Sequence, residues 1–356
     1  MDWLLNHLTT KKHMIQATSS TTPILKANID LAKVIEPVQH DVASVEELLA
    51  KNLIDDNPFI TELLAQIFQA GGKRIRPALV LLCSRATLSE AAEFGQLHII
   101  LAVLTELIHT ASLVHDDVID SASLRRGTET INRRFNDRIA VLMGDLLFAQ
   151  ASICLARIMN PTIVGIYGRV LGDLCAGELR QMKQQFGTSV NWDEYIRKTV
   201  AKTASLFAAG SHSGAILNAA GEGIIEALKS YGLKLGICFQ IIDDLLDVVG
   251  ESDKLGKQPG SDLRSGIVTA PALFVIEGQG QPAKKLIELI KTRDICQEDG
   301  SQEAIEIIKQ HGGVEATLQM AKEYGQQSIE SLAILRNSIY KESLVSLVDY
   351  VLTRVN

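Results

Sequence analysis

A chain of 356 residues that is 46% hydrophobic and 22% charged carries enough apolar material for a large packed core, which excludes disordered and fibrous classes. Its formal net charge of −7 denies it the basic face a nucleic-acid backbone requires, so any phosphate it binds must be met by a local cation cluster or a metal. The five cysteines, Cys83, Cys154, Cys175, Cys238 and Cys296, are too scattered for a zinc site and too odd in number for a disulfide framework; they read as buried thiols of a reducing compartment.

In chain order, Met1 to Thr22 holds Asp2, no arginine and a Ser/Thr patch, which fits neither a secretory signal nor an Arg-rich transit peptide. Residues 1–36 are expected to form a poorly ordered tail ahead of one domain over 37–356. From Pro37 onward apolar residues recur at helical spacing with no sustained alternation, so the fold class is all-α. Helices are predicted over 37–52, 58–70, 74–87, 91–120, 136–159, 161–186, 192–220, 222–250, 269–278, 282–290, 301–311, 313–335 and 340–354. Breaks fall at Asn57-Pro58, Gly71-Gly72, Gly127, Asn160-Pro161, Gly187, Gly221 and Gly256 to Gly266. No Pro- or Ser-rich linker divides the chain, which predicts a single large helical bundle around a central cavity. The longest apolar stretch, Leu97 to Leu113, is interrupted by Glu106 and His109 and falls short of a membrane span of about twenty residues, so no integral membrane protein is expected.

Two aspartate motifs stand inside these apolar helices: Asp116-Asp117-Val118-Ile119-Asp120 and Asp243-Asp244-Leu245-Leu246-Asp247. Positions i, i+1 and i+4 put three carboxylates on one helix edge, with the first and third about 6 Å apart. Such edges suit magnesium, which takes one or two carboxylates and shares the rest of its shell between water and phosphate oxygens. An isolated Asp-Asp on a helix is ordinarily solvated surface. Here Leu113, Val114, Val118 and Ile119 flank one motif and Ile241, Ile242, Leu245 and Leu246 the other, and burying carboxylates without a cation is costly.

Cations surround these motifs. Gly71-Gly72-Lys73-Arg74-Ile75-Arg76-Pro77 joins a glycine-freed loop to a basic helix start and has the charge and fork geometry of an anion cradle, the alternative being a solvated basic turn. Arg125 and Arg126 follow the first motif closely, and His109 lies seven residues, two helical turns, before Asp116. Lys202-Thr203 and Phe239-Gln240 supply a positive charge, a hydroxyl and an amide that would stabilise a departing anion. Gly256 to Asp262, with Lys257, reads as a loop that closes over the site or as plain surface.

Taken together, Gly-Gly-Lys-Arg-Ile-Arg-Pro at 71–77, Leu-Val-His-Asp-Asp-Val-Ile-Asp at 113–120, Arg125-Arg126-Gly127, Gly144-Asp145, Lys202-Thr203 and Phe239 to Asp244 resemble, in content and order, the all-trans polyprenyl diphosphate synthases. The resemblance covers Pro37 to the C-terminus and implies the isoprenoid synthase fold, usually a homodimer, and a magnesium-dependent condensation of isopentenyl diphosphate with an allylic diphosphate. Carried over residue by residue, it places Lys73, Arg76, His109 and Arg126 on isopentenyl diphosphate. It places Arg125, Lys202, Thr203 and Gln240 on the allylic diphosphate, and Asp116, Asp117, Asp120, Asp243, Asp244 and Asp247 on magnesium. Phe239 would either offer its ring to a carbocation or pack in the core.

The resemblance also ties product length to Ala111 and Ser112, five and four residues before Asp116, with Ile108 and Leu104 deeper on the helix. Small residues there imply an open tunnel and a long product, unless they merely allow close helix packing. Met143 to Ser152, Lys202 to Leu206 and Thr269-Ala270-Pro271 look most similar to cyanobacterial and plastid enzymes making solanesyl diphosphate for prenylquinones, which implies a bacterial cytoplasm or a plastid stroma. One departure is Ile267, where many relatives have a lysine after the loop glycine. The competing readings are a shorter-chain farnesyl or geranylgeranyl synthase, a class I terpene cyclase, which has no need of Lys73, Arg76 and Arg126, and a non-catalytic partner subunit, which would be expected to lose carboxylates or Lys202.

Overall fold

The computed structural model describes residues 29–52, 56–69, 71–89, 94–250 and 259–354. Helices account for nearly every element; among the described residues the sole sheet is a two-stranded one, Leu124–Arg125 against Thr128–Glu129. The expected tail over 1–36 lies outside the described residues as far as 28, but its last part does not behave as a tail. Helix begins at Leu31, capped by the Asp30 side chain, and passes through a 3-10 turn at Glu36–Val38, burying Val34 and Val38.

Two long helices carry the aspartate motifs. Gln96–Ile119 has no internal glycine or proline and runs 24 residues, about 36 Å, rather than the twenty-nine or so foreseen. It ends where Asp120 caps it and Ser121 turns left-handed (φ 50°). Glu222–Val249 runs 28 residues, and its second, third and fourth turns pack closely enough on the preceding helical segment to need glycine. A Cβ on Gly236 would stand 2.6 Å from the Ala204 Cα, and one on Gly232 would stand 2.6 Å from the Phe207 carbonyl oxygen. Gly236→Ala is therefore expected to cost about 1–3 kcal/mol of stability by overpacking, read as a lowered denaturant midpoint at unchanged slope.

The predicted single helix over 192–220 is interrupted. Trp192–Thr199 and Ser205–Leu217 are α-helical, but Val200–Ala204 between them forms a π-turn, a wide turn with one extra residue. Short helices at Ile131–Arg134 and Ser261–Arg264 were not foreseen either. Two helices are long and apolar enough to cross a membrane by length and composition, contrary to expectation: Gln96–Ile119, mean hydropathy 1.8, and Asp137–Ile158, 1.9. The first packs in the bundle interior, where Glu106 is paired with Arg74, and the second runs alongside it with much of its apolar face uncovered. Of the cysteines, Cys83, Cys154 and Cys238 are buried as expected, whereas Cys175 and Cys296 are exposed.

Candidate active site

The first aspartate motif occupies the C-terminal end of Gln96–Ile119. Asp117 is nearly buried and accepts from Arg125 through both Nε (2.7 Å) and Nη2 (2.6 Å). Asp116 stands 3.8 Å from the Lys202 ammonium, which lies 2.6 Å from Glu178. Burial is the largest influence on Asp116 and, with Glu178 and Asp120 nearby, pushes its carboxyl up to about 6 despite Lys202. Asp117 and Asp120 are raised for the same leading reason. For Lys202, burial pulls downward, but Asp116 and Glu178 outweigh it and hold the amine above its usual range. These are carboxylates crowded in a poorly hydrated place, where added positive charge lowers the free energy.

The π-turn sets Lys202 and Thr203. From it, one hydrogen-bonded line runs into the second motif: the Thr203 hydroxyl donates to Gln240 Oε1 (2.6 Å), Gln240 Nε2 donates to Asp244 Oδ1 (2.8 Å), and the Tyr195 hydroxyl donates to Asp244 Oδ2 (2.7 Å). Asp244 is 2% exposed and has both oxygens taken. Asp247, likewise 2% exposed, accepts from the Ser261 hydroxyl (2.7 Å) and the Asp262 backbone N–H (3.0 Å). Two of the three ligands expected from this motif are thus withdrawn from the cleft, because apolar packing turns their helix edge inward. Asp244 anchors to Tyr195 and Gln240, and Asp247 fastens the start of Ser261–Arg264. Asp243 is the member left partly open, and Arg354, the residue after the last helix, lies 2.8 Å from it. Among the described residues no three carboxylates converge on one point as a ready-made metal cage. The donor chemistry suits a divalent cation that arrives with phosphate oxygens and takes a carboxylate from each side.

A second cation group lies apart from this one. Arg76 is fully enclosed; desolvation pulls its guanidinium down to about 10, against the opposing pull of Glu106 and Asp243. Its Nη1 meets His109 Nε2 at 3.0 Å, and since a guanidinium only donates, His109 accepts there and carries its proton on Nδ1. Burial first, then Arg76, Arg126, Arg125 and Arg74, hold His109 well below its usual range, so it is neutral. Arg74 donates to Glu106 at 2.7 Å, and Glu106 is 5% exposed. Arg126 donates to the Gly71 carbonyl, and a Cβ on Gly72 would meet Arg126 Nη1 at 3.0 Å and Arg74 Nη1 at 3.1 Å, so glycine there lets two guanidiniums close on one loop. Lys73 is exposed, its ammonium 5.4 Å above the Tyr350 ring.

The hairpin presents the arginine pair. Arg126 (φ 53°) and Gly127 (φ 79°) form its tip, a conformation that a two-residue turn requires and that only glycine adopts without strain. An arginine held there is a local cost, tolerated where a side chain must be aimed. Between hairpin and bundle opens a cleft of about 620 Å³ lined by residues that include Arg74, Glu106, His109, Asp117, Arg125 and Arg126. Lys257 lies outside the described residues.

The chain matches the family model described as polyprenyl synthetase over residues 57–308. It belongs to that family. It is 38% identical over 342 residues to a chloroplastic solanesyl-diphosphate synthase 2 of Oryza sativa subsp. japonica, covering 96% of this chain and 84% of the relative. With a prenyl transferase of a Synechocystis strain it shares 40% over 328 residues, covering 92% and 100%. Among solved structures, a polyprenyl synthase from Caulobacter crescentus complexed with calcium and isoprenyl diphosphate superposes with a TM-score of 0.87 at 31% identity, covering 93% of this chain and 100% of that one. A decaprenyl diphosphate synthase from Rhodobacter capsulatus gives 0.85 at 32%, covering 92% and 100%. As a polyprenyl synthetase, the chain has the all-helical fold and motif order that its sequence foretold.

Sequence reasoning missed four residues at the site of this family member: Glu106, Glu178, Tyr195 and Arg354. Glu106 did carry a signal, being a lone carboxylate in an apolar run, but it was taken only as an interruption; the other three have none. Phe239 is engaged otherwise than by a carbocation: Arg354 lies 4.6 Å and Arg76 5.7 Å from its ring centre, and Phe207 packs at 5.3 Å. The expected tunnel is not open along its predicted wall. Ala111, Ile108 and Leu104 are each 0% exposed, closed in by helix packing, while Ser112 is half-buried and donates to the His109 carbonyl.

Proposed function

We propose that this polyprenyl synthetase is a long-chain all-trans polyprenyl diphosphate synthase, adding isopentenyl diphosphate repeatedly to an allylic diphosphate to give a solanesyl-like product. The observation that carries the reading is the division of cations into two groups. Arg125 and Lys202 sit on the carboxylates of the first aspartate motif, whereas Arg76, Arg126 and neutral His109 gather beside them around Glu106. One diphosphate that ionises and another that does not require such a pair of sites; a cyclase needs one. The chloroplastic solanesyl-diphosphate synthases and the Synechocystis prenyl transferase support both the chain-length class and a plastid or bacterial setting.

In this reading Arg76, Arg126 and Lys73 hold isopentenyl diphosphate, with His109 donating from Nδ1. Arg125 and Lys202 draw the allylic diphosphate into place, and Gln240 and Thr203 turn their polar groups to it on exchange of their mutual bond. Magnesium, bound through Asp116, Asp117, Asp120 and Asp243, supplies charge that stabilises diphosphate as a leaving group. The allylic C–O bond breaks with its electron pair passing to the diphosphate, which Lys202 and Arg125 neutralise. The isopentenyl double bond attacks the cation, and the proton it loses goes to an oxygen of the released diphosphate. His109 does not take it, since its free nitrogen already accepts from Arg76.

The homodimer is part of the same proposal. Val141, Leu142 and Ile153 on Asp137–Ile158 are 41%, 66% and 52% exposed, an uncovered apolar face that a second copy would bury. Leu142→Glu is expected to shift the protein from dimer to monomer in light scattering after gel filtration, with its helical content kept.

The deciding experiment incubates the protein with magnesium, isopentenyl diphosphate and farnesyl diphosphate and weighs the dephosphorylated product by mass spectrometry. Products near nine isoprene units support the proposal. Products of four units mean that the packed face at Ala111 and Ile108 stays shut and the enzyme is a short-chain synthase. No elongation with any starter points to a non-catalytic subunit.

A further inference from the structure

Lys198 is not used by the mechanism above. It lies four residues before Lys202, in the last turn of Trp192–Thr199, so the two lysines leave neighbouring turns of one continuous segment. Lys202 faces Asp116. Lys198 faces the other motif: half-buried, its ammonium sits 5.4 Å from the centre of the Tyr195 ring, whose hydroxyl is bonded to Asp244. After burial, which disfavours the charge, Lys198 is the leading influence favouring ionised Asp244.

It also lines a cleft of about 300 Å³ together with Gln181, Gln184, Tyr195, Ile267 and Val268, a lining that contains amides and one cation but no carboxylate. The Gln185 amide donates to the Ser265 carbonyl (2.7 Å) and ties the far wall in place. A half-desolvated ammonium with amide donors around it and an apolar wall opposite is a receptive place for an anion. Ile267 forms that wall and brings no charge to it.

We propose that Lys198 is a diphosphate-binding residue, supplying at the second aspartate motif the positive charge that Lys202 supplies at the first and meeting the outer phosphate of the allylic diphosphate from the side of Ile267. This rests on the synthase reading for its substrate, but binding of the anion tests it separately.

The probe is inorganic pyrophosphate with magnesium, titrated calorimetrically into the parent protein, Lys198→Gln, Lys198→Arg and the double variant Lys198→Gln/Ile267→Lys. Lys198→Gln is expected to weaken pyrophosphate about tenfold, the scale of one lost charge-assisted hydrogen bond, and to lower kcat/KM for farnesyl diphosphate equally. KM for isopentenyl diphosphate and the melting temperature should stay at the parent values. Lys198→Arg should regain most of the affinity, and Ile267→Lys should regain part of it by placing an ammonium on the opposite wall. Parent-like pyrophosphate affinity in Lys198→Gln overturns the proposal, as does equal weakness in Gln, Arg and double variants, which would mark a packing role. A parent protein that binds pyrophosphate but forms no product would sink the synthase reading and leave the assignment of Lys198 to the binding data.

Discussion

Asp116→Asn is expected to lose about a thousandfold in kcat and yet to melt at a higher temperature than the parent in metal-free buffer at pH 7. Both effects come from one cause. The Asp116 carboxyl is raised from 3.8 to about 6, burial being the main reason, so keeping it ionised in the folded chain costs about 3 kcal/mol relative to the unfolded one. The folded state therefore holds this proton more tightly than the unfolded state. Its penalty is fully present above about pH 6 and has gone below the unfolded value. Asparagine keeps the shape and removes the charge, which relieves the penalty but takes away a donor to the substrate-borne cation and a partner of Lys202. Melting curves with chelator from pH 4 to 8 should show the variant's advantage largest above pH 6 and shrinking toward pH 4. Equal melting of the two proteins at pH 7.5 would show that Lys202 and Arg125 already compensate the buried charge.

The second large effect is on stability. Glu106→Gln should lower it by about 3 kcal/mol, seen as a lower denaturant midpoint. Glu106 is bonded to Arg74, and its charge also bears on Arg76 and Arg126, so one buried carboxylate underlies three guanidiniums. Glutamine preserves size and leaves those cations facing one another. An anion should substitute for the missing charge, so pyrophosphate is expected to raise the midpoint of Glu106→Gln more than that of the parent. Equal shifts would mean that pyrophosphate is bound elsewhere than among these arginines.

The helices were readable because apolar periodicity and Gly or Pro breaks are local, and 58–70, 136–159 and 222–250 match the observed elements within two residues at each end. The aspartate motifs were readable for a related reason, since carboxylates within apolar runs contradict their surroundings. The fate of each carboxylate was not readable. Whether Asp244 meets a ligand or Tyr195 depends on a residue forty-nine positions away, and Asp247 is taken by a segment folding back from Ser261. Arg354 is another long-range case: nothing near Asp243 in the sequence indicates that the end of the last helix arrives there. The closed face at Ala111 and Ile108 shows the same limit, because side-chain size at a position does not reveal how tightly the neighbouring helix fills the space left by it.

The wide turn at Val200–Ala204 carries a consequence for how this segment tolerates change. One additional residue in a turn advances everything beyond it by about 100° around the axis. Tyr195 and Lys198 precede that advance and Lys202 and Thr203 ride within it, and each set is in phase with a different aspartate motif. The segment is thus keyed at two angles like a two-bit latch: losing a single residue would put one set out of phase while leaving composition, helicity and every named side chain in place. Length here is a specification as strict as the identity of the lysine.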